Sequence, residues 1–98
     1  MELELTSKQR AYLRSLANDL APIVHIGKEG VTPPLVKGAY DALEAHELVK
    51  VQVQKNAPMT TREACDALCE AVHAAPVQCI GSRFVMYRPS REPKIVLE

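Results

Sequence analysis

The chain has 98 residues, 47% of them apolar and 24% charged, with a formal net charge of zero. One domain spanning residues 1–98, with its own core, fits that length, and the composition excludes a disordered tail. No apolar run approaches the roughly 20 residues of a membrane helix, and the start Met1-Glu2-Leu3-Glu4-Leu5 is too acidic and short for a secretory signal. A cytoplasmic protein is expected. In chain order, Thr6 and Gln9 have capping-box spacing, and Leu13, Leu16, Ala17 and Leu20 then recur at helical intervals. This predicts a first helix over about residues 6–18, stopped before Pro22. Pro22 to Ile26 is continuously apolar, as in a short buried strand. After a turn at Gly27-Lys28-Glu29-Gly30, Thr32 is a good N-cap and Pro33 suits the first helical position. Leu35, Val36, Ala39, Tyr40 and Leu43 form the apolar face of a second helix over about 33–46, with Lys37 one turn in. Glu44 and Glu47, beside His46 at its end, read as facing water.

Leu48 to Gln54 alternates, Val49, Val51 and Val53 one way and Lys50, Gln52 and Gln54 the other, as a half-exposed strand does. Lys55 to Pro58 is a loop. Thr60 and Glu63 form a second capping box, and Ala64, Cys65, Leu68, Cys69, Ala71 and Val72 make the apolar side of a third helix. Val77–Ile80 and Phe84–Tyr87 read as a hairpin turning at Gly81-Ser82. Residues 89–98 form a polar, proline-broken tail in which Ile95-Val96-Leu97 could add a short edge strand. The order is α-β-α-β-α-β-β, a single layered α/β domain with a four-stranded mixed sheet and packed helices.

Strand, Gly-x-x-Gly turn and helix start together aim backbone amides and a positive dipole end at one spot, which suits a phosphate. The alternative is a tight turn with no ligand. Enzymatic motifs are missing: Gly27–Gly30 is too short for a Walker loop, and it lacks the third glycine of a dinucleotide fingerprint. No catalytic triad or Cys-His pair has supporting spacing. No cofactor and no small-molecule substrate are expected, and the chain is read as a non-enzyme.

Three cysteines, an odd number, argue against a disulfide framework. Cys65, Cys69 and His73 lie four apart, which invites a metal, but only Cys79, His25 and His46 could complete the set and there is no Cys-x-x-Cys knuckle. All three cysteines are therefore expected in the core, with no metal. Charge is unevenly spread. Residues 82–94 carry Arg83, Arg88, Arg91 and Lys94 against Glu92, whereas residues 60–75 carry Glu63, Asp66 and Glu70 against Arg62. One end of the molecule is thus basic and one helix surface acidic. Gly-x-x-Gly flanked by lysine is the device with which KH domains clamp a single-stranded backbone, and the scarcity of exposed aromatics argues against an aromatic platform.

Several stretches together resemble the bacterial YhbY-type, single-domain form of the CRM (chloroplast RNA splicing and ribosome maturation) family. They are Leu5-Thr6-Ser7-Lys8-Gln9-Arg10, Val24-His25-Ile26-Gly27-Lys28-Glu29-Gly30-Val31-Thr32, His46-Glu47-Leu48-Val49-Lys50-Val51, Val77-Gln78-Cys79-Ile80-Gly81 and Tyr87-Arg88-Pro89. The resemblance implies a fold similar to the C-terminal domain of translation initiation factor three and RNA, in particular ribosomal RNA of large-subunit precursors, as partner. By position, Gly27, Lys28 and Gly30 match the glycine loop and Arg88 the basic residue after the last strand. Glu29 stands where the family often has a basic or polar residue. The expected RNA-binding residues are Gly27, Lys28, Glu29, Gly30, Thr32, Lys37, Arg83, Arg88 and Arg91, in a monomer with no membrane contact. The competing expectation is a protein-binding adaptor on assembling ribosomes that uses the acidic third helix, with the glycine turn purely structural.

Overall fold

A computed structural model describes residues 5–93 and Ile95. Its elements are α1 (Ser7–Ala17), β1 (Val24–Ile26), α2 (Pro33–His46), β2 (Leu48–Val53), α3 (Thr61–Val72), β3 (Ala75–Ile80) and β4 (Arg83–Tyr87), the order expected from the sequence. Both capping boxes form. Thr6 Oγ1 accepts from the Gln9 amide at 3.1 Å while Gln9 Oε1 accepts from the Thr6 amide at 3.0 Å. At α3 the same exchange joins Thr60 and Glu63 at 3.1 and 2.9 Å. The bond from the Thr60 amide, and then the one with its hydroxyl, hold the Glu63 carboxyl below its ordinary pKa.

The sheet order is β1-β2-β4-β3, so the last strand is inserted between two earlier ones. β1 and β2 are parallel, and the other two pairings are antiparallel. Helices cover both faces. Val49, Val51 and Val53 of β2 and Phe84 and Met86 of β4 meet Ala39 and Leu43 of α2 and Ala64, Cys65, Leu68, Cys69 and Val72 of α3 in the main core. On the opposite face Leu48, Val77, Val85 and Tyr87 pack against Leu13 and Ala17 of α1. β4 is therefore buried at four successive positions, where a one-faced strand would alternate.

Several local expectations need correction. β3 starts at Ala75 rather than Val77, because the chain leaves α3 through a left-handed His73 (φ 58°) and extends at once. Its register shifts between Pro76 and Gln78, where proline has no amide for the ladder. Cys65 and Cys69 are buried as expected, but Cys79 is exposed because β3 is an edge strand and Cys79 lies near its open end. Tyr40 is 47% exposed instead of facing the core. Glu47 does not face water but is fully buried, and Glu44 is half-buried in an ion pair. The edge strand expected at 95–97 falls mostly outside the described residues. No helix among those residues is long and apolar enough to cross a membrane.

Candidate functional site

Because β1 and β2 run parallel, both finish at the same edge of the sheet, and α2 and α3 set out from it. The Gln54 amide donates to the Ile26 carbonyl at 2.9 Å, and the Val53 amide to the Ser82 carbonyl at 2.7 Å. The glycine turn, the β2–α3 loop and the β3–β4 turn are thereby drawn to one edge.

The Gly30 amide closes on the Gly27 carbonyl at 3.0 Å, leaving Lys28 and Glu29 exposed at the corners of a four-residue turn. Gly30 is buried with φ +71°, and a Cβ there would lie 2.9 Å from Met59 Cε and 3.2 Å from Pro58 Cγ. Its glycine is required by the positive φ, while beneath it the tip of Met59 and the Pro58 ring would have to give only slightly. At Gly27 a Cβ would lie 3.3 Å from Gln54 Oε1. The turn thus lies against the β2–α3 loop, and the two enclose a shallow concavity of about 470 Å³ lined by His25, Lys28, Thr32, Leu35, Gln54 and Asn56 besides the two glycines and Glu29.

The start of α2 offers an anion less than its sequence suggests. Pro33 and Pro34, the first two helical residues, have no N–H. The Leu35 amide is taken by Thr32 Oγ1 at 3.3 Å, and the Val36 amide by the Thr32 carbonyl at 2.9 Å. Only the dipole of the helix remains, so any backbone donors for a phosphate must come from the turn itself. Lys37 is exposed and pairs with Asp41 at 3.4 Å, a contact worth about 0.5 kcal/mol or less in water.

The expected arginines separate. Arg83 begins β4 at the glycine-turn edge, where its Nε donates to Gln52 Oε1 at 2.7 Å and Gln52 Nε2 in turn donates to Ser82 Oγ at 2.7 Å. Arg88 and Arg91 follow the far end of β4, about 13 Å away by strand rise. The Arg88 guanidinium pairs with Glu44 at 2.7 Å, donates to the Val72 carbonyl at 2.9 Å and lies 4.2 Å over the Tyr40 ring. Its side chain is only 12% exposed. Beside it the Glu47 carboxylate accepts from the Ser90 amide at 3.1 Å and the Ile95 amide at 3.0 Å. Burial, and then that carboxylate, push the Tyr87 hydroxyl pKa up. Arg91 is exposed.

Thr32 acts here as the cap of α2, whereas His25, Gln52, Gln54, Lys55 and Asn56 join the edge without any signal of their own in the sequence. What could have found them is the parallel β-α-β unit, since such sheets bind ligands beyond the carboxyl ends of their strands. Among the described residues no group of three or more His, Cys, Asp or Glu gathers in a way that could hold a metal.

The CRS1 / YhbY (CRM) domain model matches residues 5–88. The chain belongs to the CRM domain family. One CRM relative, "Probable RNA-binding protein YqeI" of Bacillus subtilis, is 41% identical over 90 residues, covering 92% of this chain and 94% of its own. A Haemophilus influenzae relative named "RNA-binding protein" is 40% identical over 93 residues, covering 95% and 94%. The solution structure of the hypothetical protein SAV1595 from Staphylococcus aureus superposes with a TM-score of 0.79 at 45% identity, covering 93% of this chain and 95% of that one. The glycine turn and the edge it forms lie inside the matched CRM region.

Proposed function

We propose that this chain binds RNA, that its target is ribosomal RNA in precursors of the large subunit, and that it assists their maturation without catalysing a reaction. The observation that carries the reading is the shared edge, where the glycine turn with Lys28, the β2–α3 loop with Lys55 and the start of β4 with Arg83 come out at one end of the sheet. The names of the B. subtilis and H. influenzae relatives support RNA as the partner, and resemblance to the YhbY type supports the ribosomal target. The turn between Gly27 and Gly30 meets the phosphate backbone, with Lys28 and Lys37 adding charge. Glu29 lowers the affinity, Thr32 shapes the exit from the turn, and Arg83 extends the contact along the sheet. Arg88 is assigned to holding the fold, and Arg91 is reached only by an RNA long enough to span the sheet. The reading describes a monomeric cytoplasmic protein with no cofactor.

The test changes Lys28 and Glu29 together to Asp, which keeps both glycines and takes the loop charge from zero to minus two. At an exposed turn such changes move stability by less than about 0.5 kcal/mol. Affinity for a ribosomal RNA fragment at fixed salt should fall roughly tenfold or more, or about 1.4 kcal/mol. The parent's binding should weaken steeply as salt rises. A folded variant that binds like the parent would leave the turn purely structural. Crosslinking the protein to total cellular RNA tests the target, with large-subunit precursors expected to be enriched.

A further inference from the structure

The sheet face under α1 is only half covered. α1 packs over Leu48, Val77, Val85 and Tyr87, and among the described residues nothing buries His25, Ile80 or Arg83 in the half nearer the glycine turn. Across that open half the strand register sets four residues in a row. His25 pairs with Gln52, Gln52 with Arg83, and Arg83 with Ile80, so all four point to the same side. Three strand spacings make the row about 14 Å long. His25, Arg83 and Ile80 are exposed, with Ile80 at 65%.

The row is partly pre-set. Gln52 holds Arg83 Nε at 2.7 Å and is itself held by Ser82 Oγ, so the guanidinium is biased toward one placement before any ligand arrives. A planar cation already ordered this way loses less rotamer freedom on binding. The surrounding charge favours an anionic chain. Residues 25–30, 52–56 and 80–83 contain Lys28, Lys55 and Arg83 against the single acid Glu29. At its β1 end the row runs directly into the glycine turn, through His25 and Ile26.

We infer that this row is a shelf for unpaired RNA bases. Arg83 and His25 supply the stacking surfaces, Ile80 an apolar end, and Gln52 is the positioning residue for Arg83. The inference rests on the RNA-binding reading and deepens it by naming the ligand as single-stranded. The phosphate backbone follows the glycine turn while bases turn onto the sheet. A duplex keeps its bases stacked inside and offers such a shelf only phosphates and 2′-hydroxyls.

Two probes separate these ligands: an unstructured oligouridylate of about ten nucleotides, within the range such sites occupy, and a blunt RNA duplex of similar length. Arg83→Lys keeps the charge and removes the flat face. It should bind the oligouridylate roughly fivefold more weakly, with an unchanged salt slope and a clearly smaller loss on the duplex. Gln52→Ala should lose about threefold on the same probe, as expected for a lost positioning contact. If Gln52→Ala melts early, the exposed Arg83→Lys carries the test alone. Parent-like binding of the oligouridylate by Arg83→Lys, or an equal loss on both probes, would overturn the shelf. If only the Lys28, Glu29 double variant loses binding, the RNA reading stands and the shelf falls. A parent that binds neither RNA removes both.

Discussion

At one end of the sheet the carboxylates of Glu44 and Glu47 and the guanidinium of Arg88 are turned inward, each matched to groups of the same chain. At the other end Lys28, Glu29, Lys55 and Arg83 stand in solvent. Ionic groups withdrawn from water must find all their partners within the protein, or the cost runs to several kcal/mol. Among the described residues no buried side-chain nitrogen or oxygen lacks a partner. Charge is therefore spent on architecture where it is buried and left available where it is exposed. Two arginines in one basic stretch, Arg83 and Arg88, fall on opposite sides of that division.

The sharpest way to break the contrast is Glu47→Ala. Removing a fully buried carboxylate leaves the Ser90 and Ile95 amides without their acceptor, and stability should drop by about 3 kcal/mol. Urea unfolding measures this, and RNA affinity of the protein that remains folded should be unchanged. A loss under about 1 kcal/mol would show that the tail is not held by this residue. Next comes Arg88→Ala, which strands Glu44 and the Val72 carbonyl. A cost of about 2 kcal/mol is expected, below that of a fully buried pair because Glu44 is 33% exposed. Arg88→Lys should recover little, since an ammonium cannot reach carboxylate, carbonyl and Tyr40 ring together. If Arg88→Ala melts like the parent but binds RNA poorly, Arg88 belongs to the interface instead. The smallest effect is reserved for Arg91→Ala, three positions on yet exposed, which should shift stability by less than about 0.5 kcal/mol.

The elements themselves were legible because their signals are local. The alternation of Val49, Val51 and Val53, the Thr6–Gln9 and Thr60–Glu63 boxes and the glycine of the β3–β4 turn each act within a few residues. Glu47 was not legible. Its partners are amides 43 and 48 positions away, and nothing near His46 distinguishes a solvated acid from one that anchors a distant tail. The same holds for Arg88, whose acceptors lie 44 and 16 positions upstream. Tyr40 fitted the apolar spacing of α2, but the Arg88 guanidinium covers its ring on an exposed face. At the candidate site, the turn could be read from its glycines. Its neighbours Lys55 and Asn56 could not, because only parallel pairing of β1 and β2 brings their loop alongside. The donor shortage at α2 is the opposite case, written openly in Pro33-Pro34.

The inserted position of β4 also bears on how the molecule is made. A ribosome releases the chain from its amino end, so β1, β2 and β3 emerge before the strand that joins the last two. Gln52 meets Arg83 across 31 positions, and β3 has no strand to pair with until Arg83–Tyr87 arrives. Contacts that distant are slow to close, and the parts of β2 and α3 that Phe84 and Met86 cover stay bare while they wait. Folding should therefore be a late, concerted event that begins once nearly the whole chain has left the exit tunnel. Nascent chains stopped short of Arg83 should remain protease-sensitive, and those carried through Tyr87 and the tail should become resistant together.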